Sequence, residues 1–133
     1  MQNNATNPPQ AAPNLRAQGA SAEDIAAQFL EERGYRIVKR NFHFGRAGEM
    51  DIIAEQLTPQ GAVLVFVEVK ARTNDRFGSP ESAITASKQR TLRRVAEGYL
   101  YTHGITNREC RFDVIAMEMQ HEPPEIRHLI AAF

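Results

Sequence analysis

Two short segments carry side chains able to do chemistry together. One is Gly48-Glu49-Met50-Asp51-Ile52-Ile53, the other Val65-Phe66-Val67-Glu68-Val69-Lys70. Side chains alternate along an extended strand, so Glu49 and Asp51 share one face, and so do Glu68 and Lys70. If the two segments pair as a hairpin, Asp51 and Glu68 approach on one side of the sheet, with Lys70 close by. Carboxylates packed together repel, and partial burial raises that cost. A divalent cation removes it. Mg²⁺, or Mn²⁺ in its place, prefers oxygen ligands and takes one or two carboxylates together with water and a substrate phosphate. Such an ion lowers the pKa of bound water and clamps a phosphate oxygen. Lys70 would orient the attacking water or neutralise a phosphorane-like state. The chemistry these groups could do is metal-assisted hydrolysis of a phosphodiester; taken alone, the same residues read first as a solvated salt bridge at a strand end.

Other residues can be placed around this pair. On a helix Leu92, Val95 and Tyr99 fall within roughly 40° of Lys88, so this lysine lies in the buried stripe and points back toward the sheet as a phosphate or carboxylate contact. The alternative is a side chain that snorkels past the core to solvent. Arg72 and Arg76 flank the site in a loop and suit phosphate contact. Arg90, Arg93 and Arg94 read as a solvated helix face. Phe77 beside Gly78 reads as an ordinary loop anchor before it reads as a wedge against a base. Glu49 is as good a salt-bridge partner for the basic segment 33–46 as a ligand, and it stays outside the metal set. Asp113 reads as a structural ion pair, and Tyr99, Leu100 and Tyr101 as core or partner surface. His43, His103, His121 and His128 have no ligand spacing. There is no zinc signature, no phosphate-binding glycine loop and no Ser-His-Asp order.

The elements that must position these groups follow from periodicity and breakers. Residues 1–18 hold Pro8, Pro9 and Pro13 and little to bury, which predicts a disordered tail. A first helix is expected over 21–33, capped by Ser21 with Asp24 completing an imperfect capping box, and stopped by Gly34. Its stripe is Ala22, Ile25, Ala26, Phe29 and Leu30. Strands are expected over 35–41, 49–56 and 62–72, the last two joined as a hairpin through Pro59-Gln60-Gly61. Val63, Val65, Val67 and Val69 take one face of the third strand. Leu64 and Phe66 take the other, followed there by Glu68 and Lys70. A strand apolar on both sides is a central strand covered on both faces. After a polar loop over 73–78, helical structure starts at Ser79-Pro80-Glu81 and runs to about His103. Strands over 111–118 and 125–130 close the chain.

The chain has 133 residues and a mass of 14.9 kDa, enough for one core and one domain, taken here as 19–133. A large multidomain enzyme is excluded. Sixteen basic and sixteen acidic residues cancel, but their distribution is uneven. Segment 33–46 holds five basic residues and no acid, and segment 70–94 seven against two. Segment 95–133 holds three basic residues against six acids. Local sign sets the field that a polyanion feels. A single cysteine, Cys110, suits a reducing compartment. With no membrane-length apolar run and no secretory pattern at the start, a cytoplasmic protein is expected.

Taken together, the two strand motifs, Arg40-Asn41, Phe77-Gly78, Lys88, Arg111-Phe112-Asp113-Val114 and Ala132-Phe133 resemble the YraN-like family of small bacterial proteins of unassigned function. The resemblance covers roughly residues 19–133. It implies a restriction-endonuclease-like fold near the archaeal Holliday-junction resolvases: an α/β domain with a mixed, mostly antiparallel five-stranded sheet flanked by helices. The superfamily pattern of an Asp on one strand and Glu-x-Lys on the next is matched by Asp51, Glu68 and Lys70, and its first-helix Glu by Glu23. Glu23 would equally serve the helix macrodipole. Met50 stands where the superfamily often has Pro, and Ala22 where it has Gly. The resemblance implies a Mg²⁺- or Mn²⁺-dependent nuclease for structured or branched DNA. Asp51, Glu68 and the Val69 carbonyl would hold the ion, while Lys70 and Glu23 act on the water. Arg40, Arg46, Arg72, Arg76 and Lys88 would hold the nucleic acid backbone, with salt-sensitive binding and little base reading. A symmetric branched substrate suggests a homodimer. Two other readings stay open: a nucleic-acid-binding module that does not cut, and an interaction protein that docks a partner through its acidic 95–133 segment.

Overall fold

The computed structural model describes residues 20–133; the tail expected over 1–18 lies outside them. Helix α1 spans Ala22–Glu32. Ser21 Oγ accepts the Asp24 N–H at 3.1 Å and Asp24 Oδ2 accepts the Ser21 N–H at 3.1 Å, so the capping box is complete although Asp replaces the usual Glu. Gly34 turns the chain out at φ +89°, and Tyr35 N–H donates to Leu30 O at 3.0 Å. The order then runs β1 (Arg36–Phe44), β2 (Gly48–Thr58), β3 (Gly61–Arg72), a 3-10 turn (Pro80–Ala83), α2 (Ala86–Thr102), β4 (Cys110–Glu118) and β5 (Glu125–Leu129). The five strands form one sheet in sequence order. All neighbours are antiparallel except β3 and β4, which α2 joins in parallel. This is the α/β fold with a mixed five-stranded sheet that the sequence predicts.

β3 is the central strand, buried on both faces. Val63, Val65 and Val67 pack with Ile25, Ala26, Phe29 and Leu30 of α1. Leu64 and Phe66 pack with Leu92, Val95, Ala96 and Tyr99 of α2. β1 continues past its expected end because Phe42 and Phe44 also pack on the α2 side. Helical structure does start after Ser79, as a 3-10 turn, and the main second helix follows it as a separate element. Ile84 leaves helical geometry at ψ 75°, and Thr85 starts a new helix by accepting the Lys88 N–H at 3.2 Å. The 3-10 turn is tied elsewhere, since Glu81 takes two hydrogen bonds from Arg127 of β5, at 2.7 and 2.9 Å.

Asp113 is the structural ion pair expected. It is fully buried and accepts from Arg111 twice at 2.9 Å and from Ala131 N–H at 3.0 Å, with His128 Nε2 at 2.8 Å. Arg93 is not simply solvated: it lies over the stacked rings of Phe112 and Phe133. Among the described residues no helix is long and apolar enough to cross a membrane.

Candidate functional site

The site lies where the sheet forks. The ladder between β2 and β3 ends at the pair Ile52↔Val67. Beyond it, β2 stays with β1 through Met50, Glu49 and Gly48, while β3 stays with β4 out to Arg72. Asp51 and Glu68 are therefore the first residues past the last shared pair. Asp51 closes the fork with its side chain, as Oδ2 accepts the Val69 N–H at 2.8 Å. A buried N–H that has lost its strand partner needs such an acceptor. The main chain of Val69 thus enters the site through its amide.

Glu68 is only 4% exposed. Its Oε2 lies 3.3 Å from Lys88 Nζ and 3.6 Å from Lys70 Nζ. Its Oε1 is buried and has no hydrogen-bond partner. Burial, followed by the charge and hydrogen-bonding proximity of Asp51, pushes the Glu68 carboxyl up to about 7 against the pull of the two lysines. Lys88 therefore turns back toward the sheet, as the helical spacing predicts, and finds a carboxylate. Glu23, in the first turn of α1, joins from the other side. Burial and then the charges of Asp51 and Glu49 raise its carboxyl above the ordinary range, while Arg40 pulls it down. The Asp51 carboxylate stands close enough to Glu23 to oppose its ionisation. Two carboxylates in such contact must share a proton or be bridged by a cation.

Asn41 is a site residue that sequence reasoning missed. It sits in β1 opposite Asp51, between the pairs Arg40↔Ile52 and Phe42↔Met50, and holds φ 53°. With its amide nitrogen turned to the carboxylates, it donates to Glu23 Oε1 at 2.9 Å and to Glu49 Oε2 at 3.1 Å. Asn tolerates this left-handed backbone better than most residues. The sequence signals for it are a lone Asn inside a strand of basic and apolar residues and its place in the Arg40-Asn41 pair. Glu49 also lies 3.3 Å from His43 Nε2, so it has a partner within the basic segment.

The expected backbone contacts are dispersed. Arg40 gives one arm to Asp24 Oδ1 at 2.9 Å and keeps a buried Nε without a partner. Arg72 is half-buried, and its Nε is likewise unpartnered. Arg46 and Arg76 are exposed. Phe77 is not a loop anchor: 77% of it is exposed. Its loop has other anchors, the hydrogen-bonded turn around it and the Glu81–Arg127 pair, so the ring has no core to join.

Among the described residues, no group of three or more His, Cys, Asp or Glu side chains is arranged to hold a metal ion by itself. The side-chain donors on offer are two carboxylates, and the other positions around an ion there would fall to main-chain oxygen and water. That is the pattern Mg²⁺ uses, and not the closed side-chain cage of structural zinc. The orphaned, buried Oε1 of Glu68 fits a cation on the Asp51 side.

The model of an uncharacterised protein family, UPF0102, matches residues 22–117. A UPF0102 protein of Symbiobacterium thermophilum is 50% identical over 103 residues, covering 77% of this chain and 83% of its own length. One from Rhodococcus jostii is 46% identical over 118 residues, covering 88% and 96%. One from Caldicellulosiruptor saccharolyticus is 43% identical over 122 residues, covering 90% and 99%.

Proposed function

The chain belongs to the uncharacterised protein family UPF0102, and we propose that it is a Mg²⁺- or Mn²⁺-dependent phosphodiesterase acting on structured or branched DNA. One observation carries this reading: a buried glutamate with an unpartnered oxygen beside a second carboxylate at the fork of the sheet. That arrangement is costly without a cation and favourable with one. Asp51 and Glu68 would hold the ion, helped by the carbonyl of Val69. The bound ion would supply a water of lowered pKa and a clamp on the scissile phosphate. Lys70 and Lys88 stand on the Oε2 oxygen of Glu68. There they keep its charge in place and present cations to an incoming phosphate. Lys70 would orient the water. Glu23, already raised in pKa, is placed to take a proton or to hold that water. Arg40, Arg46, Arg72 and Arg76 would contact the backbone of the DNA. A substrate with two symmetric strands would be met by a homodimer.

The test is incubation of the purified protein with junction, flap, single-stranded and duplex DNA, in Mn²⁺ or in EDTA. Cleavage in Mn²⁺ alone is expected, abolished by Asp51→Asn and Glu68→Gln and reduced at least about 100-fold by Lys70→Ala. Metal-dependent DNA binding with no cleavage of any substrate would instead favour a non-cutting nucleic-acid module.

A further inference from the structure

The chain leaves the site along β3 past Arg72 and returns to it at Lys88 of α2. The loop between is an ordered structure. Asn74 Oδ1 accepts the Arg76 N–H at 3.0 Å, and Gly78 N–H closes back onto Asp75 O at 3.4 Å. Gly78 holds φ +87°, where a side chain would be strained and its Cβ would meet Ser82 Oγ at 3.3 Å. Behind the turn, Pro80 is buried, Ser82 Oγ donates to Ser79 O at 2.6 Å, and Glu81 is clamped by Arg127. Arg76 and Phe77 occupy the apex of this turn, both exposed.

A lone exposed apolar side chain is ordinary and needs no explanation. Leu57 and Tyr101 are exposed to a similar degree. Leu57, however, stands at the tip of the β2–β3 hairpin, six residues and about 20 Å along the strand from Asp51. Phe77 differs in three respects. Its loop spans the stretch between Lys70 and Lys88, the two lysines that face Glu68, its turn is held by its own hydrogen bonds, and a cation stands beside it. Arg76 is its neighbour in the turn, and Arg72, on the strand that feeds it, has no hydrogen-bond partner at Nε. An aromatic face beside guanidinium groups matches an unpaired nucleobase with its flanking phosphates. Bases inside a duplex already stack on one another and hide their faces.

We infer that the turn 74–78 is a stacking site for an unpaired nucleobase, with Phe77 taking the base and Arg76 and Arg72 the phosphates beside it. This rests on the phosphodiesterase reading for its class of ligand. It narrows the substrate to DNA that offers an unstacked base next to the strand to be cut.

The test measures binding and leaves catalysis out. Fluorescence anisotropy follows a labelled oligothymidylate and a labelled hairpin duplex of equal length, both at low salt in EDTA. Phe77→Ala is expected to weaken single-strand binding about tenfold and to leave duplex binding unchanged within about twofold. Phe77→Trp should keep single-strand affinity. The side chain is exposed, so thermal unfolding of Phe77→Ala should match the wild type. Wild-type DNA binding that Phe77→Ala leaves intact for both ligands would overturn the stacking site while leaving the phosphodiesterase reading standing. Failure of the wild type to bind either DNA, in EDTA and again with Ca²⁺ in its place, would overturn both.

Discussion

A carboxylate buried to 4% exposure loses most of its hydration, and Glu68 recovers only part of it from Lys70 and Lys88. In the fold it titrates near 7, against 4.5 ordinarily. The folded chain therefore holds the extra proton between those values, and stability falls as pH rises through that window. The loss amounts to roughly 3 kcal/mol at most. Glu68→Gln removes this slope. In urea unfolding the variant should match the wild type near pH 4.5 and exceed it by roughly 1–3 kcal/mol at pH 8. An equal deficit at both pH values would contradict burial as the cause. Asn41 separates backbone from amide. Asn41→Gly keeps φ 53° open and deletes the bridge to Glu23 and Glu49. It should hold the thermal midpoint within a few degrees while weakening Mn²⁺ affinity about tenfold. Asn41→Val should cost roughly 1–2 kcal/mol of stability, because a β-branched residue resists that backbone. Unchanged Mn²⁺ affinity in Asn41→Gly would show that the bridge positions nothing.

At the scale of elements, alternation is what the sequence shows best. The two-faced valine strand, the hairpin through Pro59 and Gln60, and both helical stripes follow from side-chain periodicity alone. The fork does not, because where β2 parts from β3 depends on the twist of four strands together. The break at Ile84 and Thr85 was equally hidden, since Ala83, Ile84 and Ala86 fit a continuing helix and only the cap geometry of Thr85 divides it. The helix–sheet contact is tight at two glycines, Gly48 of β2 against Thr91 and, closer still, Gly98 of α2. A Cβ at Gly98 would lie 2.4 Å from Phe44 Cγ, so this glycine lets the ring lie against α2. Gly98→Ala should gain helix propensity yet lose roughly 1–3 kcal/mol through overpacking, measured by thermal unfolding. Adding Phe44→Leu should recover part of that loss, and a stabilised Gly98→Ala would mean that the ring is free to move.

For the molecule as a whole, segment charge proved a coarse guide. Of the five basic residues in 33–46, Arg36 pairs with Glu55, Arg40 with Asp24, and Arg33 lies over the Phe29 ring. Arg108 and Arg127 are likewise bound to carboxylates. Sequence charge counts these cations at full weight, whereas their carboxylate and ring partners offset part of what they offer a polyanion. What remains on the surface includes Lys39, Arg46, Arg76, Arg90 and Arg94, so the salt slope of DNA binding should report a handful of phosphate contacts and not the full basic count. The site motif was legible as residue types two apart on paired strands, but the gathering of Glu68, Asp51 and Glu23 required the fork and both helices. The most direct measurement is calorimetric titration of Mn²⁺ into the full chain at pH 8. One saturable site is expected, lost in Asp51→Asn and in Glu68→Gln and kept in Phe77→Ala, with all three variants folded. Heat that is absent, or that persists unchanged in both carboxylate variants, would contradict the metal site.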